Sequence, residues 1–448
     1  MISFDGQEVD YLIIGSGPAG SLIASELSKR ENVKVLLIDA GDFVKPGSIK
    51  TEYNSEFMES FNQRKTVSGS ISIRNGRVIG GGSTVNIDLA FSPLLPSIKN
   101  NLTQWIKQGQ LPHDFVHTSN NNFKVIEQAY AWVKQTIGTR SLCSDEINAN
   151  NSLLLTGYSS AKPYDLNAKK SNGNPNDLLK ISAVDAYLWP ALNQNSHSLQ
   201  VISNLNVVEL KQRYNNITEV IVKSNQSSVK NYTFNDPHGL QLNPSKTYTI
   251  KTKNIILCAG TLGSAEVLLR SNMPNSNIGK GIIMHPSIGV LGIFDRPIRN
   301  LYGISATIYA PSIPLADNYF FEAMSAEPAF IASIHPGSSS DIKRNLKDFH
   351  NIGGFGILLV DTPSNDNLIF IDGNSDVQVD YTLSKKDKKR FRKAILTAIK
   401  ILFEQGAKEV FIPSMELIYK NPHRRYFISY AEAKKAIDLN SGLKLHHN

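Results

Sequence analysis

Residues 10–20 read DYLIIGSGPAG, and this stretch predicts how the chain begins to fold. The apolar run at 10–14 is typical of a short buried strand, and the composition of 18–30 is typical of a helix. A second apolar run at 33–39, VKVLLID, closes a strand–helix–strand unit. The sequence therefore predicts an α/β fold.

Three glycines join the first strand to the helix in the pattern G-x-G-x-x-G. Gly15 allows the tight turn, Gly17 lets the backbone approach a pyrophosphate, and Gly20 lets the helix pack closely on the strand. The N-terminus of the helix favours an anion. Asp39 follows 39 − 20 = 19 residues later and is suited to accept hydrogen bonds from a ribose. This context predicts a dinucleotide site rather than a plain strand–helix–strand unit, and it leaves FAD and NAD open.

A second glycine-rich segment follows at 76–86, which reads GRVIGGGSTVN. Its glycines give a backbone that can lie against a flat ring or a second phosphate. The segment resembles the first signature of the glucose–methanol–choline (GMC) oxidoreductases, flavoenzymes that oxidise alcohols. Residues 255–264 (IILCAGTLGS) resemble the second signature of that family, and 201–207 (VISNLNV) resembles the strand beside the flavin's adenine. The resemblance covers about 9–415 and implies a Rossmann-like fold.

The resemblance implies FAD as the cofactor and an alcohol as the substrate. The alcohol is expected to become a carbonyl compound by hydride transfer to flavin N5, and the electrons to pass to oxygen, a quinone or a redox protein. The residues implied for FAD binding are Gly15, Ser16, Gly17, Pro18, Ala19, Gly20, Asp39, Ala40, Val78, Gly81, Gly82, Ser83, Asn86 and Val207. Some members attach FAD covalently through a histidine just before the signature asparagine. Val85 stands there, so non-covalent FAD is expected.

The chain is expected to divide into an FAD-binding domain of discontinuous segments and an α+β substrate domain built on an antiparallel sheet. The expected boundaries are 1–95 and 195–295 for the FAD-binding domain, 96–194 for an excursion or cap, 296–415 for the substrate domain and 416–448 for a partial return segment. The Asn-rich stretch at 165–177 is predicted to be an exposed loop. A helix is predicted from about 385 to 405, with Ser384 and Asp387 as its capping pair.

The catalytic residues are left unassigned by the sequence. In the resembling family the catalytic base is a histidine that follows the long capped helix, whereas His285 and His335 both precede it, so we interpret them as structural. His446 and His447 are expected to be unpositioned at the terminus. The loop that carries the family's base is not found after the long capped helix of this sequence. The 448-residue form is therefore expected to bind FAD weakly and to oxidise alcohols negligibly. Two alternatives are a truncated or degenerate FAD-binding protein and an NAD-dependent dehydrogenase.

The formal charge of 47 − 39 = +8 is concentrated in one segment. Residues 385–393 hold seven bases and one acid, which is 7 − 1 = +6 and leaves 8 − 6 = +2 for the rest of the chain. Without a distributed basic surface, no nucleic-acid partner is expected. We interpret the segment as a solvated helix start, with weak contact to an anionic surface as the alternative.

The sequence contains no apolar run long enough to span a membrane, and residues 1–10 lack the features of a secretory signal. Cys143 and Cys258 are too few for a disulfide framework and favour a reducing compartment. We therefore expect a cytoplasmic location, with peripheral membrane association as the alternative. Neither cysteine has the neighbours of a metal site, so no metal is expected.

Overall fold

The computed structural model describes residues 8–44, 47, 65–68, 71–109, 123–171, 174–195, 197–213, 216–225, 228–229, 240–298, 304, 306–324, 339–347, 349–413, 426–437 and 445–447. The strands are β1 Glu8–Ile14, β2 Val35–Ile38, β3 Ile71–Ser72, β4 Leu89–Ala90, β5 Arg140–Ser141, β6 Lys162–Pro163, β7 Asp165–Leu166, β8 Ala168–Ser171, β9 Asn174–Lys180, β10 Leu199–Ile202, β11 Leu205–Arg213, β12 Asn216–Ser224, β13 Ser228–Val229, β14 Leu240–Gln241, β15 Thr247–Leu257, β16 Pro286–Ile293, β17 Ala306–Pro311, β18 Tyr319–Met324, β19 Ile352–Leu359, β20 Leu368–Ile371, β21 Val377–Asp380, β22 Glu409–Phe411 and β23 Leu445–His447. The helices are α1 Pro18–Ser28, α2 Gly82–Val85, α3 Pro96–Lys107, α4 Lys124–Ile137, α5 Ala149–Gly157, α6 Trp189–Gln194, α7 Gly260–Arg270, α8 Ser339–Lys347, α9 Lys385–Glu404 and α10 Tyr430–Ala436.

A six-stranded sheet carries the predicted strand–helix–strand unit, in the order β10-β2-β1-β15-β12-β11. The first four strands pair in parallel, and β12 and β11 add an antiparallel edge. The strands predicted at 10–14 and 33–39 are confirmed as β1 and β2, and α1 lies between them in the chain. This arrangement is the Rossmann-like α/β fold that the sequence predicts.

Apolar side chains cover both faces of the parallel part of this sheet. Leu12 and Leu36 lie in a core cluster on one face, whereas Ile13 and Leu37 pack with Ala24 of α1 on the other. Successive side chains of a strand point to opposite faces, so a strand that is covered on both sides needs a continuous apolar run. The unbroken runs in β1 and β2 are therefore the cause of their central position.

The second large sheet has eight strands. Their order is β3-β23-β16-β19-β18-β17-β6, and β22 pairs with β16. Its pairs are antiparallel except β23 with β3. Helix α9 packs an apolar stripe on this sheet, since Phe391, Ile395, Ile399 and Leu402 are all 0% exposed. Ser384 Oγ accepts a hydrogen bond from the backbone N–H of Asp387 at 3.0 Å, which confirms the predicted cap.

The prediction of an exposed loop at 165–177 is wrong. The chain there forms β7, β8 and the first part of β9, and β8 and β9 pair as an antiparallel hairpin. Leu166, Ala168 and Leu178 are buried in one apolar cluster. The loop was predicted from the polar composition of the segment. Its few apolar residues nevertheless suffice to bury one face of a short strand.

The expectation that the C-terminal histidines are unpositioned is wrong for the backbone. β23 pairs with β16 and β3, so that His446 lies opposite Ser287 and Ser72. In the expected return segment, α10 packs on α9, and Arg392 donates hydrogen bonds to the backbone oxygens of Ile437 and Lys434 at 2.7 and 2.9 Å.

Two expectations concern residues that the structure does not describe. His335 and residues 416–425 of the expected return segment lie outside the described residues. Within the described part, no helix is both long and apolar enough to cross a lipid bilayer. The same residues contain no group of three or more His, Cys, Asp or Glu side chains placed to hold a metal ion.

Candidate functional site

A cavity of about 810 Å³ lies at the carboxyl ends of β1, β2 and β15. Helices α1 and α7 begin there, after Gly17 and Ala259. In open parallel sheets, ligands bind at the carboxyl ends of strands where neighbouring crossovers diverge. The cavity therefore lies where this topology favours a nucleotide.

The first glycine turn is constrained on two sides and open on the third. A Cβ atom on Gly15, where φ is +97°, would lie within 3.0 Å of the backbone oxygen of Cys258. A Cβ on Gly20 would lie even closer to the backbone oxygen of Gly15. At Gly17 no atom lies within 4 Å of the added Cβ, and this residue lines the cavity. The turn thus packs tightly against the sheet and leaves open space where a phosphate would approach the N-terminus of α1.

Asp39 ties the turn to the second strand. Its Oδ2 atom accepts hydrogen bonds from the backbone N–H and the hydroxyl of Ser16 at 2.7 and 2.6 Å, and its Oδ1 atom accepts from the N–H of Gly41 at 2.7 Å. Burial raises the pKa of Asp39, and the hydrogen bonds from Ser16 and Gly41 oppose that rise. Asp39 also lines the cavity. Oδ2 accepts two of these bonds and Oδ1 accepts one, so Oδ1 has further acceptor capacity and the residue can orient the turn and still accept from a ribose.

The second glycine segment lies directly against the first. A Cβ on Gly81, where φ is +51°, would lie 3.2 Å from the Cα of Gly17. The N–H of Gly80 donates to Ser16 Oγ at 2.9 Å. Ser83 Oγ donates to the backbone oxygen of Gly80 at 2.7 Å and accepts from the N–H of Ala183 at 3.0 Å. Two segments that lie about sixty residues apart in the chain therefore form one wall of the cavity.

The structure divides the fourteen residues implied for FAD binding into two groups. Those that line the cavity are Gly15, Gly17, Pro18, Ala19, Asp39, Ala40, Gly81, Gly82 and Val207. Those that do not line it are Ser16, Gly20, Val78, Ser83 and Asn86.

The residues of the second group support the wall of the cavity. Ser16 is buried and bonds to Asp39, and Gly20 allows α1 to approach the turn. Val78 is buried and forms a parallel backbone bridge with Asp42. Within the described chain, the contacts of this second group are with other residues that form or support the cavity wall. Their assignment as FAD ligands stays a prediction.

Several residues at or behind the cavity were not predicted from the sequence. Gly41 does not line the cavity but packs against the supporting residue Val78, since a Cβ there would lie within 3.0 Å of the backbone of Val78. Its position two residues after Asp39 is a signal that could have identified it. The remaining cavity residues with polar or charged side chains are Asn75, Arg77, Asn206, Lys223, Ser264, Glu266 and Arg270. No local motif marks Lys223, which lies opposite the cavity residue Asn206 in the antiparallel pairing of β12 with β11.

Cys258 lines the cavity as well, and burial raises the pKa of its thiol. A raised pKa disfavours the reactive thiolate at neutral pH. We therefore interpret Cys258 as a packing residue rather than a redox group.

The cavity has the features that a dinucleotide such as FAD requires. The turn at Gly17 provides an open backbone surface and a helix N-terminus that no side chain of the described residues caps, as a pyrophosphate requires. Asp39 offers carboxylate acceptors, and the strand at Val207 lines the cavity with apolar residues. The residues present therefore fit the group.

Comparison with known proteins agrees with a cavity that fits FAD. The family profile described as GMC oxidoreductase matches residues 9–287. The chain is 23% identical over 432 residues to the long-chain-alcohol oxidase FAO4A of Arabidopsis thaliana, which covers 90% of this chain and 54% of that protein. It is 23% identical over 317 residues to the oxygen-dependent choline dehydrogenase of Staphylococcus saprophyticus, which covers 64% of this chain and 52% of that protein. The chain thus spans about half the length of these curated relatives.

Solved structures agree on the fold. The crystal structure of pyridoxine 4-oxidase from Mesorbium loti superposes with a TM-score of 0.60 over 98% of this chain and 87% of that one, at 16% identity. Formate oxidase of Aspergillus oryzae RIB40 superposes with a TM-score of 0.57 over 90% of this chain and 82% of that one, at 12% identity. At these identities the likeness establishes the shared architecture alone.

Proposed function

The chain belongs to the GMC oxidoreductase family, and from this premise we propose that it binds FAD non-covalently and oxidises an alcohol to a carbonyl compound. The observation that carries the proposal is the contact between the two glycine segments beside Asp39, at the mouth of one cavity. Its relatives include proteins named for long-chain alcohols, choline and glucose, which all carry the CH–OH group.

The role of each residue follows from its place in the cavity. The N–H groups at Gly17 and the start of α1 would hold the pyrophosphate, and Asp39 would orient the ribose. The backbone at Val207 would lie beside the adenine, and Gly81 and Gly82 would leave room for the cofactor between the two segments. Bound FAD would supply the hydride acceptor at flavin N5. Val85 has no nucleophilic atom, which supports non-covalent binding.

The catalytic base stays unassigned. The backbone of His285 is held in place, because its N–H donates to Asp361 Oδ1 at 2.9 Å and the N–H of Met284 donates to Asp361 Oδ2 at 3.0 Å. This supports the interpretation of His285 as part of a structural turn at the start of β16. For the electron acceptor we propose oxygen, a quinone or a redox protein, as oxygen and quinone appear in the names of relatives.

The expected division into discontinuous FAD-binding segments and a substrate domain is part of the proposal. It is supported by the separation of the described strands into a six-stranded and an eight-stranded sheet. The six-stranded sheet takes its strands from 8–38 and 199–257, on both sides of the expected excursion at 96–194.

The test is to purify the protein, to load it with FAD, and to record its absorbance in the blue before and after acid precipitation. Flavin that stays with the native protein on gel filtration and appears in the acid supernatant is the expected result. Flavin lost on gel filtration would instead favour the weak binding expected from the sequence. Anaerobic bleaching by members of a panel of primary and secondary alcohols would establish the reaction. A protein that retains NAD and no flavin would refute the proposal. Retained flavin that no alcohol reduces would leave binding and refute the oxidation.

A further inference from the structure

A buried ion pair lies behind the second glycine segment. Lys180 Nζ lies 3.2 Å from Asp88 Oδ1, and the two side chains are 0% and 2% exposed. Lys180 is the last residue of β9, whereas Asp88 lies between α2 and β4. None of the cavity functions described above uses this pair.

Lys180 also holds Asn86, the residue that ends α2. Its Nζ donates to the backbone oxygen of Asn86, and to the side-chain Oδ1 of the same residue at 3.1 Å. A helix of only four residues has almost no stability of its own, so outside contacts must determine where α2 lies. Ser83 provides one such contact through Ala183, and Asn86 provides another through Lys180. Between these anchors and the first glycine turn lie Gly81 and Gly82, which line the cavity.

The surroundings of the pair make the contact costly. Burial raises the pKa of Asp88 to about 7, a rise that the Lys180 ammonium opposes and the Asp185 carboxylate adds to. Burial also lowers the pKa of Lys180, against the attraction of Asp88. Among the described residues, Asp88 Oδ2 is buried and has no hydrogen-bond partner. An apolar pair of similar volume would avoid this desolvation but would provide no donor for Asn86.

We propose that Lys180 is a positioning residue for the cofactor: by donating to Asn86 it fixes α2 and the adjoining glycines in the geometry that accepts FAD, with Asp88 as the counter-charge of the buried ammonium. The inference rests on the proposed function, since the group to be accepted is FAD.

Three variants test this. Lys180→Met removes the donor and leaves Asp88 alone. The double variant Lys180→Met, Asp88→Leu removes both charges and still lacks the donor, so it separates loss of the contact from an unpaired buried charge. Lys253→Met is the matched control, because Lys253 forms an exposed ion pair with Asp10 at 2.8 Å, where the side chain of Lys253 is 59% exposed.

The measurements are the dissociation constant for FAD by fluorescence titration and the thermal midpoint of the flavin-free protein. We expect the double variant to retain a cooperative thermal transition and to bind FAD about tenfold more weakly or worse, since a polar group is left without its donor. We expect Lys253→Met to bind FAD like the wild type. Wild-type affinity in the double variant would overturn the proposal.

Hydrogen exchange separates this inference from the proposed function. In flavin-free protein, the amides of residues 80–86 are expected to exchange faster in the double variant than in the wild type, because their segment loses an anchor. Unchanged exchange would overturn the positioning role. A wild-type protein that binds no FAD, but whose variant shows the faster exchange, would refute the proposed function and leave the role of Lys180 in positioning α2.

Discussion

The two glycine segments of the cavity wall obtain their geometry in different ways. The turn at 15–20 is determined by its neighbours in sequence: a strand precedes it, a helix follows it, and Asp39 at the end of the next strand ties it down. The segment at 80–86 depends on residues about one hundred positions later, Ala183 and Lys180. The first geometry therefore follows mainly from nearby sequence, with tertiary packing against Cys258, whereas the second follows from contacts with distant residues.

This difference predicts how each segment fails. A side chain at Gly15 or Gly20 of the first turn would meet backbone atoms within 3.0 Å, so the fold itself is affected. A change in the anchors of the second segment leaves the sheet intact and alters where α2 lies. Substitutions can thus separate stability from cofactor binding, and we expect their effects to decrease in the order Gly20, Asp39, Asp88 and the basic segment of α9.

The largest effect is expected at Gly20. In Gly20→Ala, the new Cβ would lie within 3.0 Å of the backbone oxygen of Gly15, so α1 must shift away from β1. We expect the free energy of unfolding to fall by about 3 kcal/mol, measured by urea denaturation of flavin-free protein. Gly17→Ala is the control: no atom lies within 4 Å of its Cβ, so stability should change by less than about 0.5 kcal/mol while FAD binding weakens. Equal destabilisation by both would contradict the distinction.

The next effect is expected at Asp39. Asp39→Ala leaves the backbone N–H groups of Ser16 and Gly41 without their acceptor. We expect a loss of about 1–3 kcal/mol in the free energy of unfolding, together with loss of FAD on gel filtration. Ser16→Ala removes one hydroxyl and keeps the backbone donor, so it should cost less than Asp39→Ala. Full flavin occupancy in Asp39→Ala would mean that the ribose assignment is wrong.

A smaller, pH-dependent effect is expected at Asp88. Its pKa is raised to about 7 in the folded protein from an ordinary 3.8, so between these values the folded state binds more protons than the unfolded state. The contribution of this group to stability must therefore decrease as pH rises from about 4 to about 7. Comparing the wild type with Asp88→Asn by chemical denaturation at pH 5 and pH 8 measures it. The wild-type advantage should be smaller at pH 8, and a larger advantage there would refute the sign.

The smallest effect is expected at the basic segment of α9. Arg390 and Lys393 form ion pairs with Asp387 and Asp317, and Arg392 donates to the backbone oxygen of Lys434 in α10. Three of the seven bases therefore have partners within the protein, and fewer than seven are free to contact an anionic surface. We expect weak binding to anionic vesicles at low salt, worth about 1 kcal/mol or less per base, and none at physiological salt. Charge reversal at Lys385, Lys386 and Lys389 should abolish it without changing stability. Binding that persists after this reversal would locate the contact elsewhere.

Much of this architecture could be predicted from local pattern. The first turn, β1, α1 and β2 follow from G-x-G-x-x-G between apolar runs, and α9 follows from Ser384, Asp387 and its apolar stripe. Such features depend on residues within one or two turns of each other, where sterics and hydrogen bonding act regardless of the rest of the chain. The hairpin β8–β9 was missed because its few apolar residues gain burial only against distant elements.

For the candidate site, the sequence by itself determined the turn at Gly15–Gly20 and the presence of an acceptor at Asp39. Tertiary structure decided that Ser16 joins both glycine segments, that Lys223 reaches the cavity, and that Lys180 anchors Asn86. The physical reason is the range of the forces. A glycine's allowed backbone angles are a property of the residue itself, whereas the position of a short helix such as α2 depends on donors that the fold brings from elsewhere in the chain.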